Sequence, residues 1–242
     1  MSNFLSALSF LTILPSPKKD LPWEDGRRIM YFPIVGLLIG GMLCGADHVF
    51  SLFFDREVRA VLDVLFLAVI SGGLHLDGLA DAADGLFSHR SREEMLRIMR
   101  DGRIGAMGTL ALIFCLLLKC AGICALEEGT RWVWLLAAPA LARSAQVAGL
   151  VFMDYARREG GIANHFFQKG KYRFLAWAPL SFLPPFFFGM ETGLVALFSF
   201  ILLTAAVLLY FQYKIGGMTG DTLGAMSEIL ETAVFVIACG RF

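Results

Sequence analysis

The sequence predicts an all-α polytopic integral membrane protein. It reads as a single domain over residues 1–242 with about six to seven transmembrane helices and a short N-terminal interfacial or re-entrant helix. Three observations predict this. Residues of the hydrophobic class make up 57% of the chain and charged ones only 17%, where a soluble domain carries about a quarter. The apolar residues gather in blocks of about twenty, the length a helix needs to cross a hydrocarbon core of ~30 Å. Lysine and arginine fall unevenly between the loops on the two sides of those blocks. Net charge is zero, which by itself says nothing about nucleic acid; the expected partners are small-molecule substrates and lipid, with no nucleic acid.

The first segment, "MSNFLSALSFLTILPSP", has no basic n-region and no small-residue cleavage site, so it does not read as a signal peptide. Its apolar stretch of about ten residues is too short to span, and Pro15 ends it. Seven blocks follow, at 30–50, 60–76, 104–126, 132–152, 174–190, 193–213 and 222–239. Gly36, Gly40, Gly41 and Gly45 in the first permit close helix packing. Pro184-Pro185 kinks the fifth. Glu228 and Glu231 interrupt the last, and acids inside a membrane helix are candidates for function. Asp63 and Lys119 are expected to snorkel near an interface or to line a cavity. The five cysteines all lie in apolar blocks; the Cys120–Cys124 spacing reads as small hydrophobes in a helix interface rather than a metal site.

Orientation follows from the basic residues of the loops. One side holds Lys18, Lys19, Arg27, Arg28, Arg90, Arg92, Arg97, Arg100, Arg103, Arg157, Arg158, Lys169, Lys171, Arg173 and Lys214; the other holds Arg56, Arg59, Arg131 and Arg241. Fifteen against four places the N-terminus and the long loops in the cytoplasm. Both acidic motifs fall on that side.

The first motif is "GGLHLDGLADAADGLFSH", from Gly72 to His89. Positions i, i+4 and i+7 share one helix face, so Asp77, Asp81 and Asp84 are stacked within reach of a common point. Three like charges near hydrocarbon are costly without partners, and a divalent cation relieves the conflict; oxygen ligands suit Mg²⁺ or Mn²⁺. A solvated acidic cap is the alternative, but it does not need neighbours as small as Gly78, Ala80, Ala82 and Ala83. In "SREEMLRIMRDGRIGAMG", Ser91 and Glu94 form a capping box that starts a helix at Arg92 and breaks at Asp101-Gly102. Arg97, Arg100 and Arg103 suit a phosphate ester, or else mark topology; the glycines of "GAMG" permit close approach of a ligand. In "GGMTGDTLGAMSEILE", Asp221 sits as N-cap or first-turn residue of the last helix and joins the first stripe if the two helices are neighbours. "ARSAQV" puts Arg143 and Gln146 one turn apart inside the fourth block, lining a cavity or pairing with a buried acid. His165 is a loop histidine, more often a surface residue than a base.

Together "FLTILPSP", "GGLHLDGLADAADGL", "RIMRDGRIGAMG", "ARSAQV" and "GGMTGDTLGAMSEILE" resemble the cobalamin synthase family, in the expected order and over essentially the whole chain. Members are adenosylcobinamide-GDP ribazoletransferases, integral membrane enzymes late in vitamin B12 assembly. The resemblance implies that a corrinoid nucleotide and α-ribazole, or its 5′-phosphate, are joined with release of GMP. It also implies Mg²⁺ as cofactor, held by Asp77, Asp81, Asp84 and Asp221. Asp84 is the candidate base, and Arg100 and Arg103 hold phosphate charge; Arg97, Asp101, Arg143, Gln146 and Gly220 complete the substrate contacts. The expected setting is the plasma (inner) membrane, multi-pass, with the site facing the cytoplasm among membrane lipid. A homo-oligomer, or assembly with other enzymes of cobalamin synthesis, is compatible with it.

Two rival readings are weaker. CDP-alcohol phosphotransferases also place aspartates at cytoplasmic helix ends, but their motif has Ala-Arg after DG and two further residues, which this chain lacks. A cation transporter would place acids at the bilayer midplane, on broken helices in repeated halves. Here the acids cluster at one edge, and no repeat is seen.

Overall fold

The computed structural model describes residues 2–15, 26–157 and 162–240. They are helical and contain no named strand. Ten α-helices are found among them: α1 Ser2–Leu11, α2 Phe32–Ser51, α3 Arg56–Ile70, α4 Leu74–Leu86, α5 Arg92–Ile98, α6 Ala106–Ala125, α7 Arg131–Phe152, α8 Leu183–Phe186, α9 Met190–Ile215 and α10 Gly220–Ala238. Lys18, Lys19, Arg158 and Arg241, four of the charges that set the expected orientation, lie outside the described residues.

Four helical stretches are each long and apolar enough to cross a membrane: residues 26–51, with a 3₁₀ turn running into α2, then α6, α7 and α9. Their outward faces are bare hydrocarbon; Phe114, Leu117, Phe198 and Leu202 are all exposed, Leu202 to 71%. So much exposed apolar surface is stable only against lipid. Gly36 and Gly40 seat α2 on α7 as their spacing predicts. A Cβ on Gly36 would lie 2.5 Å from the Ala140 Cα, and one on Gly40 would lie 2.4 Å from the Leu136 carbonyl oxygen.

Two of the expected blocks are built differently. The block at 60–76 does not run on to the acidic motif as one helix. It breaks after Ile70, and α4 leaves the axis of α3 at 89°. Gly72 and Gly73 make this turn with φ of +60° and +72°, a left-handed backbone that side chains other than glycine disfavour. The block at 174–190 forms no long helix. It is a chain of short turns, Tyr172–Leu175 and Ala178–Phe182 in 3₁₀ geometry and then α8. Pro179, Pro184 and Pro185 each lack the N–H that a continuous α-helix needs. This segment still travels the length of α7. Tyr172 packs on Phe152 with ring centroids 5.6 Å apart, and Phe187 and Phe188 meet Trp132, near the other end of that helix, at 6.2 Å each. Midway, the Ser181 and Ser144 hydroxyls lie 2.7 Å apart. At ~2 Å rise per residue, a 3₁₀ segment of this length is long enough for a bilayer pass.

Buried charge is paired in two groups. Near one end Asp47 of α2 accepts from Arg59 of α3 at 2.6 and 3.0 Å and from Arg131 of α7 at 2.8 Å, and Arg131 also donates to Asp63 at 2.7 Å. In the middle, the Lys119 ammonium of α6 donates to Glu228 at 2.5 Å and Glu231 at 2.9 Å of α10, and Arg143 of α7 donates to the second oxygen of Glu231. Asp63 and Lys119 therefore do not snorkel; both are buried in ion pairs. Two cations against two anions leave the middle group neutral, which makes its burial tolerable, and it ties three helices together. Removing one member leaves an uncompensated charge. Lys119→Met is expected to destabilise the protein by about 3–5 kcal/mol, and Lys119→Met with Glu228→Gln to recover part of that. Thermal unfolding in detergent checks both.

Candidate functional site

α4 lies across the N-terminal ends of α6 and α10. The contact with α10 is backbone on backbone. A Cβ on Gly78 would lie 2.9 Å from the Asp221 carbonyl oxygen, and one on Gly224 would lie 3.3 Å from the Gly78 Cα. The small residues interleaved with the aspartates are thus used to bring α4 onto α10. α10 is started by Thr219, whose hydroxyl accepts from the Thr222 N–H at 3.2 Å while the Thr222 hydroxyl accepts from the Thr219 N–H at 2.8 Å. Asp221 falls in its first turn, as the sequence predicts.

Asp77 and Asp221 line one cavity of about 250 Å³, together with Gln146 and Gly220. Asp81 lies one turn along α4 from Asp77 and half buried. Burial, and then the charges of Asp77, Asp221 and Asp84, push its carboxyl up to about 6. Asp84 is engaged otherwise: its two oxygens accept from the Gly105 N–H at 2.6 Å and the Gly108 N–H at 2.8 Å, capping α6. The glycines of "GAMG", expected to admit a ligand, admit this carboxylate; a Cβ on either would lie 2.5 Å from an Asp84 oxygen.

The arginines divide as well. Ser91 caps α5 by accepting from the Glu94 N–H at 3.4 Å, but the Glu94 carboxylate turns to Arg97, at 2.5 and 2.9 Å, rather than closing the capping box. Arg103 donates to Asp101 at 2.6 and 3.0 Å on an exposed loop, and these hydrogen bonds hold Asp101 below the usual carboxylate range. Arg97 and Arg100 line a recess of about 400 Å³ with Arg92 and Arg157. Arg92 donates to the carbonyls of Ile215 and Ala156, both at 2.6 Å, and pins α5 to the ends of α9 and α7. Arg157 donates to Asp221 at 2.6 Å, so the basic recess touches the acidic group. A short parallel pairing puts it there: the Ala156 N–H donates to the Met218 carbonyl at 2.8 Å, and the Met218 N–H to the Asp154 carbonyl at 2.9 Å.

Arg143, expected at the substrate, is committed to Glu231 instead, because a guanidinium at that depth needs a counter-charge. Glu228 and Glu231 likewise serve packing. His165 is exposed on the 3₁₀ turn Ile162–Phe166. Cys120 and Cys124 are free thiols packed against the core, and no disulfide is formed by any of the five cysteines. Sequence reasoning missed Arg157 and His75. Arg157 read only as a topology marker. His75 stands in the motif two residues before Asp77, and its place on the buried side of α4 was the signal available.

No group of three His, Cys, Asp or Glu side chains is placed to hold a metal among the described residues. The donor set nevertheless suits a hard cation. Mg²⁺ is commonly held by one or two carboxylates with water and substrate phosphates, and the mutual repulsion that raises Asp81 is what a cation relieves.

Helices long and apolar enough to cross a bilayer, with clustered carboxylates abutting arginines at one end, suit a membrane-embedded enzyme of phosphate-ester chemistry. The family model for cobalamin-5-phosphate synthase matches residues 3–239, and the chain belongs to that family. Relatives named adenosylcobinamide-GDP ribazoletransferase are 39% identical in Alkaliphilus metalliredigens, covering 96% of this chain and 92% of the relative, and 38% identical in Chlorobaculum parvum, covering 98% and 95%. One from Roseiflexus sp. is 41% identical over 93% of this chain and 84% of its own. No solved structure matches the chain.

Asp81 carries a pH signature. The folded protein holds its proton up to about 6 and the unfolded chain only to about 4, so folding takes up a proton between those values and stability falls as pH rises through them. Asp81→Asn is therefore expected to raise the melting temperature by a few degrees at pH 8, without added divalent cation, and to change it little at pH 4. Melting curves at the two pH values test this.

Proposed function

We propose that this protein joins adenosylcobinamide-GDP to α-ribazole or its 5′-phosphate, giving adenosylcobalamin or its 5′-phosphate and GMP. Family membership supports the reaction, and one observation supports the place: Asp77 and Asp81 on α4 share a site with Asp221 on α10, beside the recess of Arg97, Arg100 and Arg157. In the reaction an acceptor hydroxyl oxygen forms a bond to the phosphorus on the corrinoid side of the pyrophosphate. The bond from that phosphorus to the bridging oxygen breaks, and GMP leaves with the electron pair.

Asp77 and Asp221 would hold Mg²⁺, which when bound offsets the charge that develops on the pyrophosphate oxygens. Asp81 takes the hydroxyl proton, its raised affinity for a proton suiting a general base. Asp84, which the sequence put forward for that task, is a positioning residue: by capping α6 it fixes the far end of α4. Arg97 and Arg100 present guanidinium charge to the phosphates of the donor, and Asp101 and Arg103 steady the loop before α6. The setting is the plasma membrane, with this end of the bundle in the cytoplasm, as the excess of lysine and arginine at this end supports.

Purified protein given adenosylcobinamide-GDP, α-ribazole phosphate and Mg²⁺ is expected to form a cobamide and release GMP. Chelation stops it. Asp77→Asn is expected to lose at least ~100-fold in turnover with an unchanged melting temperature, whereas Asp84→Asn loses both activity and stability. No cobamide from the wild type, or near-normal turnover in Asp77→Asn, would sink the assignment. For orientation, single cysteines replacing Arg97 and Asp154 in a cysteine-free background are expected to react with an impermeant maleimide only in inside-out vesicles.

A further inference from the structure

We infer that the apolar recess beneath α4 is a phospholipid site: it takes one acyl chain from the leaflet at the α4 end of the bundle, and the lipid phosphate sits at Lys214. The recess, of about 590 Å³, lies between α6, α9 and α10 and shares no residue with the cavity of Asp77 and Asp221. The site rests on packing and charge, and it stands or falls separately from the reaction proposed above.

Its shape follows the helices. On α10 the lining includes Ala225, Ile229, Thr232 and Val236, spaced i, i+4, i+7 and i+11 on one face. At 1.5 Å per residue that stripe is ~16 Å long, about half of a hydrocarbon core of ~30 Å, so the slot is one leaflet deep. About 590 Å³ drawn out over this length is a section of ~40 Å², roughly half of what a helix ~10 Å across fills. The slot takes a chain and not a helix of a second copy.

Its lining selects hydrocarbon. Only Cys115, Tyr210 and Thr232 carry a side-chain heteroatom, and the Cys115 thiol and Thr232 hydroxyl already meet each other at 3.3 Å. A corrin with amide arms, or a nucleotide, would leave its polar groups unanswered there. Water is held no better, since a buried water needs two to four polar partners. A gap of this size left empty would forfeit dispersion contacts along four helices. Leu118 and Ile229 on its rim are exposed, so the slot opens sideways and a chain enters it directly from the bilayer.

Charge marks the end where the head group lies. On α9 the slot follows Leu203, Val207 and Tyr210, and the next residue of that stripe is Lys214. Its ammonium lies 5.9 Å from the centre of the Tyr210 ring, and among the described residues it is held in no ion pair. A cation beside an aromatic ring, at the interfacial end of an apolar slot, complements a lipid phosphate. Leu79, Ala83 and Leu86 of α4 close the slot at this same end, so the chain supports from below the helix that carries Asp77 and Asp81.

The test is native mass spectrometry of the purified protein, stripped of lipid by detergent exchange and then given dioleoyl phosphatidylglycerol or its phosphate-free counterpart, dioleoylglycerol. The wild type is expected to retain one phosphatidylglycerol per chain and to bind dioleoylglycerol ~5-fold more weakly, the effect of one basic residue on an anionic lipid. Lys214→Gln is expected to lower phosphatidylglycerol to the level of dioleoylglycerol. Ala206→Phe fills the slot from the exposed side of α9 and is expected to weaken both lipids by ~10-fold or more, the effect of losing a few buried methylenes. Ala205→Phe, one residue along and outside the slot, is expected to leave both unchanged. Equal binding of the two lipids by the wild type, or an undiminished preference for phosphatidylglycerol in Lys214→Gln, overturns the assignment of the phosphate. Unchanged binding in Ala206→Phe, displacement of the lipid by adenosylcobinamide-GDP, or a wild-type dimer that Ala206→Phe dissociates overturns the slot. Lys214 stands at the rim, so its variant decides the question even where Ala206→Phe does not fold.

Discussion

The close approach of α4 to α10 is the constraint on which the rest depends. Gly78 and Gly224 face each other closely, a Cβ on Gly78 lying 2.9 Å from the Asp221 carbonyl oxygen and one on Gly224 3.3 Å from the Gly78 Cα, and that contact sets Asp77 and Asp81 beside Asp221. Carboxylates 140 residues apart in sequence become one group because two glycines let two backbones touch. A side chain at either glycine would push the helices apart and would open the cavity next to them, since both glycines also line it. Small residues here are a requirement of the chemistry as well as of packing.

Bringing acids together at the edge of a membrane raises an electrostatic difficulty that the structure meets by dividing them. Arg157 neutralises Asp221, and the backbone N–H groups at the start of α6 take up Asp84. Among the described residues neither Asp77 nor Asp81 is held in an ion pair, and Asp81 shows the strain of that position in its raised proton affinity. Two turns deeper on α10, Glu228 and Glu231 answer Lys119 and Arg143, so one helix carries the acid proposed to act in its first turn and ion-paired acids in its buried part. The deep group is what holds α10 against α6 and α7 and so keeps the first turn of α10 where α4 can reach it.

The architecture was legible because hydrophobic blocks of bilayer length and the i, i+4, i+7 stripe are local properties of the sequence. The two failures have local causes that compete with composition. Glycines at 72 and 73 end α3 inside an apolar run, and three prolines turn the fifth block into 3₁₀ segments that still make the journey. Burial of a charge was legible, but its partner was not. Glu228, Glu231, Lys119 and Arg143 all stood out, yet which acid meets which base is decided by helix neighbours in space. Asp84 was misread for the same reason. On its own helix it is one of three equal aspartates; only the approach of Gly105 and Gly108 makes it a cap. Arg157 is one among many loop arginines, and only the pairing of Ala156 with Met218 sets it against Asp221.

The bend before α4 explains how a membrane protein can do this chemistry at all. Had α3 simply continued, the aspartates would ride on a spanning helix and be carried either into hydrocarbon or away from α10. Turned by 89°, α4 lies across the bundle end as an amphipathic helix with two different neighbours. Its acidic stripe looks toward Arg157 and Asp221. Its other face, with Leu79, Ala82, Ala83 and Leu86, roofs an apolar recess of about 590 Å³ that descends between α6, α9 and α10. A single helix thereby separates a charged compartment, where phosphate can be handled, from a hydrocarbon one. The left-handed pair Gly72-Gly73 is therefore as much a part of the site as the carboxylates it redirects.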